Sequence, residues 1–180
     1  GNTVGGKLTA GTVLIGATTA SDLTVTGTMQ ADAVTLKGGD SAKLIVNAAD
    51  SSATLGTLTF DKSGTVEVGA SGTLVVTGDT TFIKDAGNLT VTAAGAKATL
   101  QNVTFAKDAT VKIEVTNGDV IVNGTLTANA GSLTVNEADV AKATVNGKVV
   151  AAGSTTSGLV VLTKGTLALG ATADIGTGAD

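Results

Sequence analysis

Six residue types are missing from this chain: Pro, Cys, His, Trp and Tyr are absent, and because all 11 basic residues are Lys, so is Arg. Without His or Cys, the usual general base at neutral pH and the best thiol nucleophile are both gone. Without Arg there is no bidentate clamp for phosphate or carboxylate. No Cys also means no disulfide and no thiolate metal site, so thiols say nothing about redox compartment. Aromatics amount to three Phe, and charged residues make up only 14% of the chain, with a net charge of −4. Nucleic acid is excluded as a partner, because phosphate neutralisation needs clustered cations and base stacking needs aromatics. The same scarcity of charge excludes a basic membrane-surface helix. No apolar run approaches the roughly 18–20 residues of a membrane span. A transmembrane barrel would carry aromatic girdles that this chain cannot supply. The expectation is a chain that does not span a membrane.

What remains is mostly Val, Ala, Leu and Thr, with 25 Gly among them. Val and Thr are β-branched and sit well on a pleated surface. A mean hydropathy of +0.37 argues against disorder. At 180 residues the chain is long enough to bury a real core. Apolar residues recur at every second position in Leu23–Val25, Val66–Val68, Leu89–Val91, Val111–Ile113 and Leu133–Val135, which is the strand period. Between such runs stand turn signals: Gly38-Gly39-Asp40, Gly78-Asp79, Asn117-Gly118-Asp119, Asn123-Gly124 and Asn146-Gly147. Two short stretches, Asn136 to Ala143 and Ala93 to Ala98, carry some helical character but read as loops. The fold class is all-β.

Internal repetition narrows the architecture. Residues 53–68 lie over 98–113 without a gap, pairing Leu55 with Leu100 and Phe60 with Phe105. The flanks agree: 44–55 over 89–100, and 86–91 over 130–135. The period is about 45 residues, giving a single repetitive domain, 1–180, with units near 1–43, 44–88, 89–132 and 133–180. A propeller of that period lacks the aromatics to fill wide blade interfaces. A row of small sandwiches buries too little surface per unit. A β-solenoid of the parallel β-helix kind, two coils to each repeat, suits modest aliphatics and Thr ladders. Phe60 and Phe105 then point inward along one column. A β-sandwich or barrel stands as the alternative.

Segments 64–78 (GTVEVGASGTLVVTG) and 118–135 (GDVIVNGTLTANAGSLTV) resemble repetitive β-solenoid surface proteins of bacteria and archaea. Those include autotransporter-like and filamentous-haemagglutinin-like adhesins and surface-layer or sheath proteins. The resemblance implies adhesion, fibre building or cell coating, with little chemistry at the repeats.

Candidate sites are few. Two carboxylates flanking a sugar need a constellation, and the nearest acidic pair, Glu137 with Asp139, reads as a solvated turn. The Asp residues are scattered singly, without EF-hand spacing or tandem glycine-aspartate nonapeptides, so no metal or other cofactor is expected. Three sequons mark candidate glycosylation sites at Asn88, Asn102 and Asn123. Thr-x-Thr triplets occur at 24–26, 57–59, 90–92 and 125–127. Their spacing matches neither one coil nor the 45-residue repeat, so they are not expected to stack, and strand propensity accounts for them.

The expectation is therefore a non-enzymatic, secreted or cell-surface structural protein: a self-assembling subunit of a fibre, sheath or surface layer. Its partners are copies of itself, joined head to tail or side by side, with a cell-surface glycan or protein as a further candidate. An adhesin stalk or passenger fragment is the first alternative. A donor-strand-exchanged pilin, with Thr3 to Ile15 seated in a neighbour, is the second.

Overall fold

Alternating Val, Thr, Leu and Ile favour strands, and Gly, Asn and Asp interrupt them. In the computed structural model of this chain every described regular element is a strand. The structure describes residues 1–17, 21–38, 42–83, 87–106, 112–128, 132–135, 141–151, 160–162 and 165–177. One sheet holds eight strands: β1 (Asn2–Val4), β3 (Asp22–Val25), β5 (Lys43–Val46), β7 (Gly64–Val68), β9 (Gly87–Val91), β11 (Lys112–Val115), β14 (Ser132–Val135) and β17 (Val160–Leu162). The second sheet begins with five long strands: β2 (Lys7–Ile15), β4 (Thr28–Leu36), β6 (Ser52–Phe60), β8 (Thr73–Phe82) and β10 (Lys97–Phe105). It continues as paired short strands: β12 (Asp119–Val122) with β13 (Leu126–Ala128), β15 (Lys142–Val145) with β16 (Lys148–Ala151), and β18 (Thr166–Leu169) with β19 (Asp174–Thr177).

Successive rungs pair in parallel, and each circuit of the chain takes about 22 residues. The architecture is a β-solenoid. Neither a sandwich nor a barrel describes it, because the strands of each sheet follow one another as rungs of an open parallel ladder. Two circuits make the 45-residue repeat: Leu55 sits beside Val76, which sits beside Leu100. Like residues do lie above like.

Each long strand turns a corner midway. In β4 the buried positions are Met29 and Ala31, then Val34 and Leu36. The alternation slips by one residue at Asp32–Ala33, so the inward side changes there without a break in pairing. The same slip separates Leu55 from Leu58 in β6 and Leu100 from Val103 in β10. Beyond β10 the corner becomes a gap between two short strands, with β12 and β13 both pairing onto β10. The coil consequently has three faces: the eight-stranded sheet, and the two halves of the other. Glycine permits the corner to be this tight, since a Cβ on Gly147 would run into the Gly124 carbonyl of the rung before it. Gly78-Asp79 is not a turn between strands. It lies inside β8, where one extra residue relative to β6 and β10 shifts the register.

The interior is narrow and filled by columns. Leu44, Val66, Leu89 and Ile113 form one; Val46, Val68, Val91 and Val115 form the next, and all are sealed from solvent. All three aromatic rings share one column, in three consecutive rungs. Phe60 stacks on Phe82 with centroids 4.2 Å apart and planes 9° apart, and Phe82 meets Phe105 at 5.1 Å and 44°. Space for them comes from the opposite wall: a Cβ on Gly87 would lie 3.0 Å from Phe82 and 3.2 Å from Phe60. Large residues on one column are thus matched by a missing side chain across the core.

At the corner leading out of the eight-stranded sheet a four-residue turn recurs. Ser51, Gly72 and Ala96 each donate a backbone N–H to the carbonyl three residues earlier. Ser51 is buried, and its hydroxyl both donates to the Ala48 carbonyl at 2.7 Å and accepts the Ala48 N–H at 3.1 Å. Ala93 to Ala96 belong to one of these turns, whereas Lys97 and Ala98 already open β10. Of the other stretch expected as a loop, residues 136–140 lie outside the described residues, and Lys142 and Ala143 open β15.

Candidate functional site

With the interior closed by aliphatics, any recognition falls to the three outward faces and the end rungs. The faces differ in charge. On the eight-stranded sheet the outward positions carry Asp22, Lys43, Glu67, Lys112 and Glu114, with a Lys112–Glu114 ion pair at 2.7 Å. The face formed by the first halves of the long strands carries Lys7, Lys97, Asp119 and Lys142. The third face is different in kind.

On that third face, Thr35 of β4 lies beside Thr59 of β6, Thr81 of β8, Thr104 of β10 and Thr127 of β13, one residue to each rung. All five are outward and partly exposed. A second rank runs two positions back along each strand: Ala33, Thr57, Asp79, Asn102 and Thr125. Among these ten positions Asp79 is the sole ionisable group; on the following rung, β16, Val150 continues the first rank and the exposed Lys148 the second. The Asp79 carboxylate accepts a hydrogen bond from Asn102 Nδ2 at 3.0 Å. The margin of the face is marked by Lys37 and Asp61, 3.8 Å apart.

Several Thr hydroxyls elsewhere brace the stack. Thr90 and Thr92 on the eight-stranded side, Thr77 at the corner and Thr116 in the turn after β11 each donate to a backbone carbonyl of the preceding rung. The five hydroxyls of the third-face column have no such partner among the described residues. Sequence reasoning missed this column because it searched for Thr-x-Thr triplets. Those triplets alternate between faces: 24–26 and 90–92 start on the eight-stranded sheet, 57–59 and 125–127 lie on the third face. Thr81 and Thr104, which complete the column, belong to no triplet. The signal was the register, 22–24 residues per rung, applied to single Thr positions.

The sequon residues are dispersed. Asn88 sits in mid-strand on the outward side of β9, half-buried. Asn102 lies on the third face with both ends of its amide engaged, Nδ2 to Asp79 and Oδ1 accepting the Thr125 N–H at 3.0 Å. Asn123 is exposed at the corner after β12, where its Oδ1 accepts from Asn146 Nδ2 at 2.9 Å. The structure does not bring the three together. Glu137 and Asp139 lie outside the described residues, and no grouping of three metal-ligating side chains occurs among the described ones.

At the end formed by the first rung, Asn2, Val13, Leu14, Ile15, Ser21, Asp22 and Leu23 line an open cleft. Leu14 is 52% exposed there, and Leu8 and Val13 are only partly covered. Asn2 occupies the column that Leu23 and Leu44 fill in the rungs below. No helix is found among the described residues, so none is long and apolar enough to cross a membrane. No family model, curated protein or solved structure matches the chain.

Proposed function

We propose that this chain is an extracellular structural protein, a self-assembling subunit of a fibre, sheath or surface layer that performs no catalysis. The observation supporting this is the continuity of the stack. Main-chain ladders run along the axis from rung to rung, and the side chains that seal it are aliphatic. A rung at an open end of such a stack presents a row of unpaired backbone donors and acceptors. Such an edge accepts another strand in register, and a head-to-tail contact that does not close on itself generates a filament. The absence of His, Cys and Arg fits a role in which no side chain needs to react. Within one chain Thr3–Val4 and Lys7–Ile15 pair with β3 and β4, and in a donor-strand pilin the same segment would pair with those strands of a neighbour.

Negative-stain electron microscopy of the purified chain tests the reading. Ordered polymers with an axial repeat built from the 4.7–4.9 Å strand spacing are expected. Dispersed rods about 4 nm long at all concentrations would replace it with the stalk or passenger reading, in which the rod is a spacer holding a binding element away from the surface.

A further inference from the structure

We propose that the third face is an ice-binding surface, whose ligand is the ordered water lattice of ice. This inference does not depend on self-assembly. It rests on four properties of the five rungs from β4 to β13 on that surface: their repeat, their stiffness, their free hydroxyls and their low charge.

The repeat comes from the backbone. Thr35, Thr59, Thr81, Thr104 and Thr127 occupy consecutive rungs, so their side chains stand about 4.8 Å apart along the axis. The second rank, Ala33, Thr57, Asp79, Asn102 and Thr125, stands about 6.6 Å to one side, two residues along a strand. The result is a two-dimensional grid of small polar and methyl groups, with an axial spacing close to an oxygen repeat of hexagonal ice. Stiffness follows from chemistry, because a β-branched side chain on a strand has few χ1 states to lose on binding.

The hydroxyls of the column are available. Thr90 and Thr92 on the eight-stranded sheet and Thr116 at its corner donate to backbone carbonyls, whereas the five in this column have no partner among the described residues. Each can hold a water, while the neighbouring γ-methyl orders the water around it. Charge would spoil this arrangement, since a Lys or Glu side chain binds its own hydration shell in a geometry foreign to the lattice. Across the five rungs from β4 to β13 the two ranks hold one charge, Asp79, which accepts from Asn102, and Lys enters this face only on the next described rung, at Lys148. A glycan surface is a poorer match, because sugar rings stack on aromatic side chains and all three Phe are buried.

The test uses the whole chain, fluorescently labelled, and measures its partition into slowly growing ice together with inhibition of ice recrystallisation. Wild-type protein is expected to enter the ice and to keep crystals small. Thr59→Lys and Thr104→Lys should reduce both to the level of an inert protein. Thr54→Lys and Thr99→Lys, outward on the neighbouring face, should leave both unchanged. Circular dichroism melting confirms that each variant is folded. Exclusion of the wild type from ice, retention of activity by the two third-face variants, or equal loss by the neighbouring-face pair would each overturn the proposal.

Discussion

The rungs from β6 to β10 and those from β12 to β19 share one register but are built differently. In the first group a single strand passes unbroken through the corner, and the column at its far end is Phe60, Phe82, Phe105. In the second group the strand is cut in two at Asn123-Gly124 and Asn146-Gly147. The column positions after Phe105 are Ala128 and Ala151. The same ladder is therefore carried on without an aromatic residue at that register position. What the difference teaches is a division of labour: main-chain pairing sets the path of the coil throughout, whereas ring packing adds stability where the strand is continuous.

Removing the middle ring should break that contrast. Phe82→Ala leaves Phe60 and Phe105 facing a void, and a loss of about 3–5 kcal/mol is expected, measured by urea unfolding followed by far-UV circular dichroism. A loss under about 1 kcal/mol would mean that the rings are incidental to the continuous rungs. A smaller effect sharpens the comparison at the corners. Gly56 in β6 abuts the Asp32 carbonyl, and Gly147, between β15 and β16, abuts the Gly124 carbonyl. Gly→Ala at either is expected to cost about 1–3 kcal/mol through overpacking. Similar losses at both show that one device makes the corner in both regions; a loss at Gly56 alone shows that the divided corner has room to relax. The smallest effect has the opposite sign. Thr80 is fully buried in the continuous region, between Leu58 and Val103, and its hydroxyl has no partner. Thr80→Val removes an unsatisfied group at nearly constant shape and should stabilise by about 1 kcal/mol, read as a higher urea midpoint.

Much of this fold was legible because a solenoid writes its geometry as repetition. The match of 53–68 to 98–113 placed Leu55 above Leu100 and put Phe60 and Phe105 on one inward column, and the structure has both. The clearest alternating runs, at Leu23, Val66, Leu89 and Leu133, all fall in the eight-stranded sheet, where strands are straight and alternation is uninterrupted. The long strands were harder to see. Their inward phase slips by one at each corner, so Met29, Ala31, Val34 and Leu36 do not obey a single period of two. Phe82 escaped notice because it lies in the rung between the two that align, shifted by the extra residue of β8. The Thr column was hidden for a related reason: no local pattern announces it, and only the register of five separate strands assembles it. Asn88, Asn102 and Asn123 were found by motif, and motif alone does not tell that Asn102 has its amide already engaged.

The orientation of the ladders has a mechanical consequence. Because the interstrand hydrogen bonds point along the axis, a pull on the two ends of the rod loads each rung in turn, as links in a chain are loaded. The weakest link sets the strength of the whole. A tether of this kind would yield one coil at a time, each coil of about 22 residues paying out about 7 nm of extended chain. Failure should begin among the divided rungs near β16 and β19, leaving the phenylalanine-filled segment wound until last.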